Sequence, residues 1–229
     1  MNSLFAIPGY YLAEECSATS SGNLNWYLEN CINKENILEG TSVFDYANSM
    51  IESVAPEESD VYYLPFLYGS NAHPLGKAAF IGLTTYNNTA HMLRALYEGV
   101  VFSHRRHIDR LLKTRTKPEA VRMAGGPVQS KVWVHMFADV LGLPIETVEA
   151  KELGALGCAM AAAVASGVYK DYQEAAKYMV HISEKIYPNY EKNEIYNKKY
   201  EKYMAVSNAL DNVIMEQQCF GVMRHSRRG

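Results

Sequence analysis

Apolar residues along this chain recur with two different periods, and these periods divide it into predicted strands and helices. Short apolar runs predict strands in "YYLAEECSA", at both ends of "DVYYLPFLYGSNAHPLGKAAFIGLT", in "EAVRMA" and in "LPIETVEA". Apolar residues three or four positions apart predict helices in "SGNLNWYLENCI", "SVFDYANSMIESV", "NTAHMLRALYEGVVFSHRRHIDRLLKT", "VQSKVWVHMFADVLG" and "ELGALGCAMAAAVASG". From "YKDYQEAAKYM" onward the pattern predicts polar-faced helix.

The stretch from Glu119 to Gly167 alternates strand, helix, strand and helix. That order favours a parallel strand pair, and therefore an α/β fold class. No internal repeat or low-complexity linker interrupts the pattern. We therefore predict one domain over residues 1–215, followed by a flexible basic tail over residues 216–229.

Several side chains on the predicted helices invite an interpretation. Arg94 and Glu98 stand four positions apart, which predicts an ion pair on one helix face. Tyr196, Tyr200 and Tyr203 fall at helical spacing, which predicts packed rings with hydroxyls at the solvent edge.

The basic cluster from His104 to His107 could seat a phosphate, although a solvated helix face is the favoured interpretation. Asp139 lies in mid-helix and is interpreted as a surface or capping charge rather than a catalytic base.

Composition narrows the function classes. With 229 residues the chain can bury a sizeable core, and its net charge of −3 gives no reason to propose nucleic acid or an anionic membrane as partner. No apolar run approaches the roughly 18 residues needed to cross a bilayer. Its cysteines (Cys16, Cys31, Cys158 and Cys219) are scattered, which argues against a disulfide framework or zinc site and favours a cytoplasmic location. No metal-binding residues are predicted.

A glycine pair, Gly125 and Gly126, separates a predicted strand from a predicted helix. Such a pair is most often a tight turn that needs positive φ. It also lets a ligand approach the backbone, and the following helix offers free N–H groups to phosphate. The spacing matches neither the dinucleotide fingerprint nor the P-loop, so the glycines alone leave both interpretations open.

Longer segments resemble one family, the FGGY carbohydrate kinases, which phosphorylate sugars with ATP. "YYLPFLYGSNAHPLGKAAFIGLT" resembles the family's "FLPFLSGERTPHWDPNARGAFIGLT", and "AHMLRALYEGVVF" resembles its "AHLARAVLEGVAF". "MAGGPVQSKVWVHMFADVLGLPIETVEAKELGALGCAM" resembles "TGGGARSPLWRQILADVLGLPV" and the "E-x-x-A-L-G-A-A" segment that follows it. The matches are collinear and extend from about Tyr11 to Gly167. "MNSLFAIPGYYLAEE" and "LYGSNAHP" look closest to the L-xylulose kinase members.

The resemblance implies an actin-like, ribonuclease H-like ATPase domain, the C-terminal half of a sugar kinase, with ATP and Mg²⁺ as cofactors. It implies that Gly125 and Gly126 let the backbone pass beside the α-phosphate and ribose. Gln129 and Ser130 would border the adenine, and Glu152 at the start of the next helix would help to close the pocket. Pro127 stands where many members have a third small residue, and a helix start tolerates it.

The family's catalytic aspartate and its "GT" phosphate loop precede the part of the family sequence that Met1 onward resembles. No catalytic residue is therefore predicted here. We expect the ATP-binding half of a ketopentose kinase, inactive alone, with the sugar bound through an N-terminal domain. The alternatives are a free-standing actin-like module that binds nucleotide or a partner without catalysis, and a truncated chain that persists as a homodimer.

Overall fold

The computed structural model of the chain describes residues 2–17, 20–70, 76–150 and 152–225, with side chains described through residue 210 except at positions 2 and 36. The α-helices within these residues are α1 Gly22–Asn30, α2 Val43–Glu52, α3 Thr89–Leu112, α4 Lys131–Leu141, α5 Leu153–Ala165, α6 Tyr172–Met179 and α7 Tyr190–His225. The strands are β1 Asn2–Leu4, β2 Tyr11–Ala13, β3 Tyr62–Leu64, β4 Ala79–Ile81, β5 Val121–Met123, β6 Ile145–Val148 and β7 Ile182–Ile186.

The chain divides into two compact units. Unit 1 comprises Met1–Glu15 and Ile108–Pro188, and unit 2 comprises Cys16–His107 and Asn189–Gly229. Because α7 continues to His225, the predicted tail has helical backbone as far as that residue, and residues 226–229 lie outside the described part of the chain. The flexibility of this tail stays a prediction.

Unit 1 contains a mixed sheet in the order β5-β6-β7. β5 and β6 are parallel, with Val121 opposite Ile145, as the strand and helix order predicted. β7 pairs antiparallel with β6, so the prediction of helix throughout this region was wrong. Only Ile186 of β7 is buried, and such a strand has no apolar alternation to distinguish it from its helical neighbours. α4 packs against β6 and β7, and Trp133 of α4 is buried.

Unit 2 is built around α3, whose apolar stripe buries Leu93, Leu96 and Val100 completely. The helix begins where the sequence predicted, because Asn88 Oδ1 accepts a hydrogen bond from the backbone N–H of Ala90 at 3.0 Å. The antiparallel pair β3 and β4 completes the described strands of this unit.

The close approach of α3 to β3 requires a glycine at position 99. A Cβ atom placed at Gly99 would lie 2.1 Å from the carbonyl oxygen of Tyr63, far inside any real contact distance. The backbone of β3 therefore passes over α3 where no side chain intervenes.

The predicted Arg94–Glu98 pair forms, and it is buried. Arg94 Nε lies 2.9 Å from Glu98 Oε1. The second oxygen of the same carboxylate, Oε2, contacts Lys199 Nζ at 2.6 Å, and the Lys199 side chain is only 7% exposed. Lys199 also donates to the carbonyl oxygen of Pro56 at 2.8 Å. One buried carboxylate is thus shared by two cations, one from α3 and one from α7.

The remaining donors of Arg94 attach α2 and α7 to α3. Its Nη1 donates to the carbonyl oxygens of Ile51 (3.1 Å) and Val54 at the end of α2. Its Nη2 donates to the Tyr196 hydroxyl at 2.8 Å. The predicted tyrosine cluster is therefore buried as expected, but the Tyr196 hydroxyl lies in the core instead of at the solvent edge.

The basic cluster on α3 is packed, so its interpretation as a solvated face was wrong. The guanidinium of Arg105 lies 4.2 Å from the centre of the Tyr200 ring. Arg106 Nη1 lies 3.3 Å from Ser207 Oγ. α7 occupies the surface that the sequence pattern left open to water.

The cysteines and the length of the apolar helices can be compared with the sequence predictions within the described residues. Cys16, Cys31 and Cys158 are free thiols. Within the described part of the chain, no helix is both long and apolar enough to cross a membrane.

Candidate nucleotide-binding site

The glycine turn after β5 contains a backbone conformation that favours glycine. Gly125 has φ +89° and ψ −167°, a region that residues with a Cβ atom rarely occupy. A Cβ atom at this position would meet nothing within 4 Å, so the space beside it is open. The positive φ predicted for the glycine pair belongs to Gly125 and not to Gly126.

A short 3₁₀ turn, Gly126–Gln129, connects Gly125 to α4. The carbonyl oxygen of Gly125 accepts from the N–H of Val128 at 3.2 Å, which closes this turn. Pro127 is the second residue of this turn, where a missing N–H removes no internal hydrogen bond. Gly125, Gly126 and Gln129 are exposed, so the turn presents its backbone to solvent.

Ser130 has a structural role in addition to the adenine contact that the resemblance implies. It is the N-cap of α4, and its Oγ accepts a hydrogen bond from the backbone N–H of Trp133 at 3.2 Å. Its side chain is 9% exposed. Ser130 therefore orients the start of α4 behind the turn, and its expected contact with adenine stays a prediction.

Glu152 occupies the N-cap position of α5 but makes no side-chain capping bond. Its side chain is exposed, and its carbonyl oxygen accepts from the N–H of Leu156 at 3.0 Å. α5 packs against α6, and none of its residues is buried. Added Cβ atoms at Gly154 and Gly157 would meet nothing within 4 Å, so the small residues of α5 border open space.

The sheet relates the glycine turn to the start of α5. β5 and β6 are parallel neighbours, with Met123 opposite Thr147, so their carboxyl ends lie at one edge of the sheet. The turn at Gly125 follows β5 directly, and the segment that leads to Glu152 follows β6. Ligands of α/β sheets bind at the carboxyl ends of parallel strands. Gly125, Gly126, Gln129 and Ser130 thus share one turn, and Glu152 belongs to the adjoining segment.

Ion pairs link the side chains of the three neighbouring strands. Glu146 of β6 accepts from Arg122 of β5 through Oε2 and from Lys185 of β7 through Oε1, both at 3.1 Å. The hydrogen bonds from Arg122 and then Lys185 lower the pKa of the Glu146 carboxyl. The Glu146 carboxylate is therefore ionised at neutral pH and is occupied by its two ion pairs within the sheet.

The carboxylates of Asp139 and Glu152 differ in their exposure to solvent. Asp139 is 6% exposed within α4, so its interpretation as a surface charge was wrong. α4 buries the whole stretch from Met136 to Val140, because the helix packs on the sheet. Glu152 is exposed, and the segment that leads to it starts at the same edge of the sheet as the glycine turn. In the residues searched, no cluster of three or more histidine, cysteine or acidic side chains could hold a metal ion.

Comparison with known proteins gives a consistent result. Residues 3–166 match the C-terminal domain of the FGGY family of carbohydrate kinases. The chain is 39% identical over 202 residues to the L-xylulose/3-keto-L-gulonate kinase of Escherichia coli (strain K12), covering 88% of this chain and 39% of that protein. It is 34% identical over 208 residues to a probable L-xylulose kinase of Pasteurella multocida (strain Pm70), covering 90% and 40%.

Among solved structures, the xylulose kinase from Rhodospirillum rubrum matches with a TM-score of 0.80 and 26% identity, over 90% of this chain and 41% of that one. The chain therefore spans about two fifths of the length of these relatives. The matched region includes the glycine turn and the start of α5.

Proposed function

The chain belongs to the FGGY family of carbohydrate kinases, and we propose that it forms the ATP-binding part of a kinase that phosphorylates a ketopentose such as L-xylulose. Its fold is the actin-like, ribonuclease H-like ATPase fold of that family. We assign the nucleotide-binding domain to residues 1–215. The 39% identity to the E. coli L-xylulose/3-keto-L-gulonate kinase supports the choice of sugar.

The observation that carries this proposal is the glycine turn at the carboxyl end of β5. The glycine-specific backbone of Gly125 and the open space beside it leave room for a phosphate or ribose. The turn leads directly into the first residues of α4, and backbone N–H groups at a helix start attract anions.

Each site residue has a defined task in this proposal. Gly125 and Gly126 line the α-phosphate and ribose, while Gln129 borders the adenine. Ser130 supports this edge through its cap on α4, and Glu152 closes the pocket from the start of α5. These residues hold and orient ATP and exclude water from one side of it.

Mg²⁺ enters this proposal as an ion that accompanies the nucleotide. Mg²⁺ is commonly held by substrate phosphates, one or two carboxylates and several waters. When bound, Mg²⁺ neutralises charge on the phosphates.

We propose that the chain alone does not transfer phosphate. Phosphoryl transfer requires an oriented hydroxyl, a group that accepts its proton and stabilisation of charge on the moving phosphoryl group. In this proposal the acidic residues near the glycine turn do not fill the role of base, since Asp139 is buried, Glu146 is held in an ion pair and Glu152 is assigned to the wall of the ATP pocket. The base and the sugar site belong to an N-terminal domain. In isolation we propose a cytoplasmic protein that self-associates as a homodimer through exposed apolar surface.

Calorimetric titration with ATP and Mg²⁺ tests the site. Gly125→Ala introduces a Cβ atom at the proposed phosphate contact and a strained backbone, and should abolish binding. Gly142→Ala is the matched control, because Gly142 ends α4 with φ +60° and ψ +34° and lies at the far end of that helix. It should be destabilised by about 1–2 kcal/mol while binding normally. Gly126→Val should also abolish binding with circular dichroism unchanged. Equal binding by Gly125→Ala and wild type would refute the site.

A coupled assay of ADP release tests the catalytic part of the proposal. The chain alone should give no turnover above background with L-xylulose, D-xylulose, L-ribulose, L-rhamnulose or glycerol. Sugar-dependent turnover that disappears in Gly125→Ala would place a catalytic base within this chain. ATP binding without any sugar-dependent turnover, even beside an N-terminal domain, would favour a nucleotide-binding module.

A further inference from the structure

No further inference is drawn: the strongest candidate, the surface patch of unit 2 where the exposed ring of Tyr68 lies against Gly22 and the exposed Trp26 follows one turn later on α1, carries nothing because no contact in the described part of the chain shows what covers it.

Discussion

Lys199 Nζ lies 2.6 Å from Glu98 Oε2, with the Lys199 and Glu98 side chains only 7% and 2% exposed. The same carboxylate is 2.9 Å from Arg94 Nε, so one anion offsets two buried cations. Glu98 therefore links α3 to α7 within the core of unit 2.

Glu98→Gln should reduce the free energy of unfolding by about 3–5 kcal/mol, because it leaves two buried cations without a counter-charge. Urea denaturation followed by circular dichroism measures this loss. Asp60→Asn is the control, because it breaks an ion pair at the surface. Lys202 Nζ lies 3.1 Å from Asp60 Oδ1, and the two side chains are 62% and 80% exposed. That change should cost about 0–1 kcal/mol. Equal losses in the two variants would contradict a buried role for Glu98.

Tyr62→Phe should stabilise the protein or leave it unchanged, whereas Tyr196→Phe should destabilise it. The Tyr62 hydroxyl is buried and has no hydrogen-bond partner within the described residues. Burial, with the charges of Asp60 and Glu98, raises the pKa of Tyr62 to about 12. Removing an unsatisfied buried hydroxyl gains about 1 kcal/mol, while removing the acceptor of Arg94 loses about 1–3 kcal/mol. Thermal denaturation of both variants should show shifts of opposite sign or a shift in Tyr196→Phe alone.

Gly99→Ala should destabilise the protein severely, by about 3 kcal/mol or more, because the new Cβ atom collides with the Tyr63 carbonyl oxygen. Gly154→Ala, also within a helix, places its Cβ atom in open space. It should stabilise α5 by about 0.5–1 kcal/mol through the better helix propensity of alanine. Urea denaturation midpoints of the two variants measure these changes in stability. A mild effect of Gly99→Ala would show that β3 and α3 do not approach each other so closely.

His104 should make stability depend on pH. Burial, with the neighbouring His107, lowers the pKa of His104 below its ordinary value of 6.5, and Nε2 lies 3.0 Å from Ser20 Oγ. The unfolded chain therefore binds a proton more readily than the folded one. The contribution of neutral His104 to the free energy of unfolding is complete above pH about 6.5. It is lost as the pH falls from there toward the lower pKa of the folded state.

Urea midpoints at pH 7.5 and 5.5 test this dependence. Wild type should lose more stability between these pH values than His104→Gln does. A His104→Gln variant with the same pH dependence as wild type would show that another group is responsible.

Local patterns in the sequence predicted the helices and the parallel strands because each depends on residues a few positions apart. The start of α3 at Asn88 and the Arg94–Glu98 pair are local in this sense. β7 was missed because it is exposed apart from Ile186, so its strand conformation is set by pairing with β6 and leaves no alternation to detect.

Distant partners explain the other differences. The Tyr196 hydroxyl is in the core because Arg94, 102 positions earlier, donates to it. Spacing along one helix contains no trace of such a contact. For the candidate site, the sequence indicated the turn at Gly125 but could not distinguish which glycine takes positive φ. The capping role of Ser130 was available from its position before α4, although the resemblance directed attention to its ligand contact.

The discontinuity of unit 2 has a consequence for the order in which a ribosome makes the chain. Arg94 and Glu98 emerge long before α7, and the segment Ile108–Pro188 is made in between. During that interval the carboxylate of Glu98 lacks its contact with Lys199. Arg94, which donates to the end of α2, lacks its partner on α7, the Tyr196 hydroxyl. Domains tend to fold as their residues leave the ribosome, N-terminal ones first. Here unit 2 is begun before most of unit 1 is made but is the last to finish, and a nascent chain interrupted before Tyr190 would present its unfinished core to chaperones and proteases.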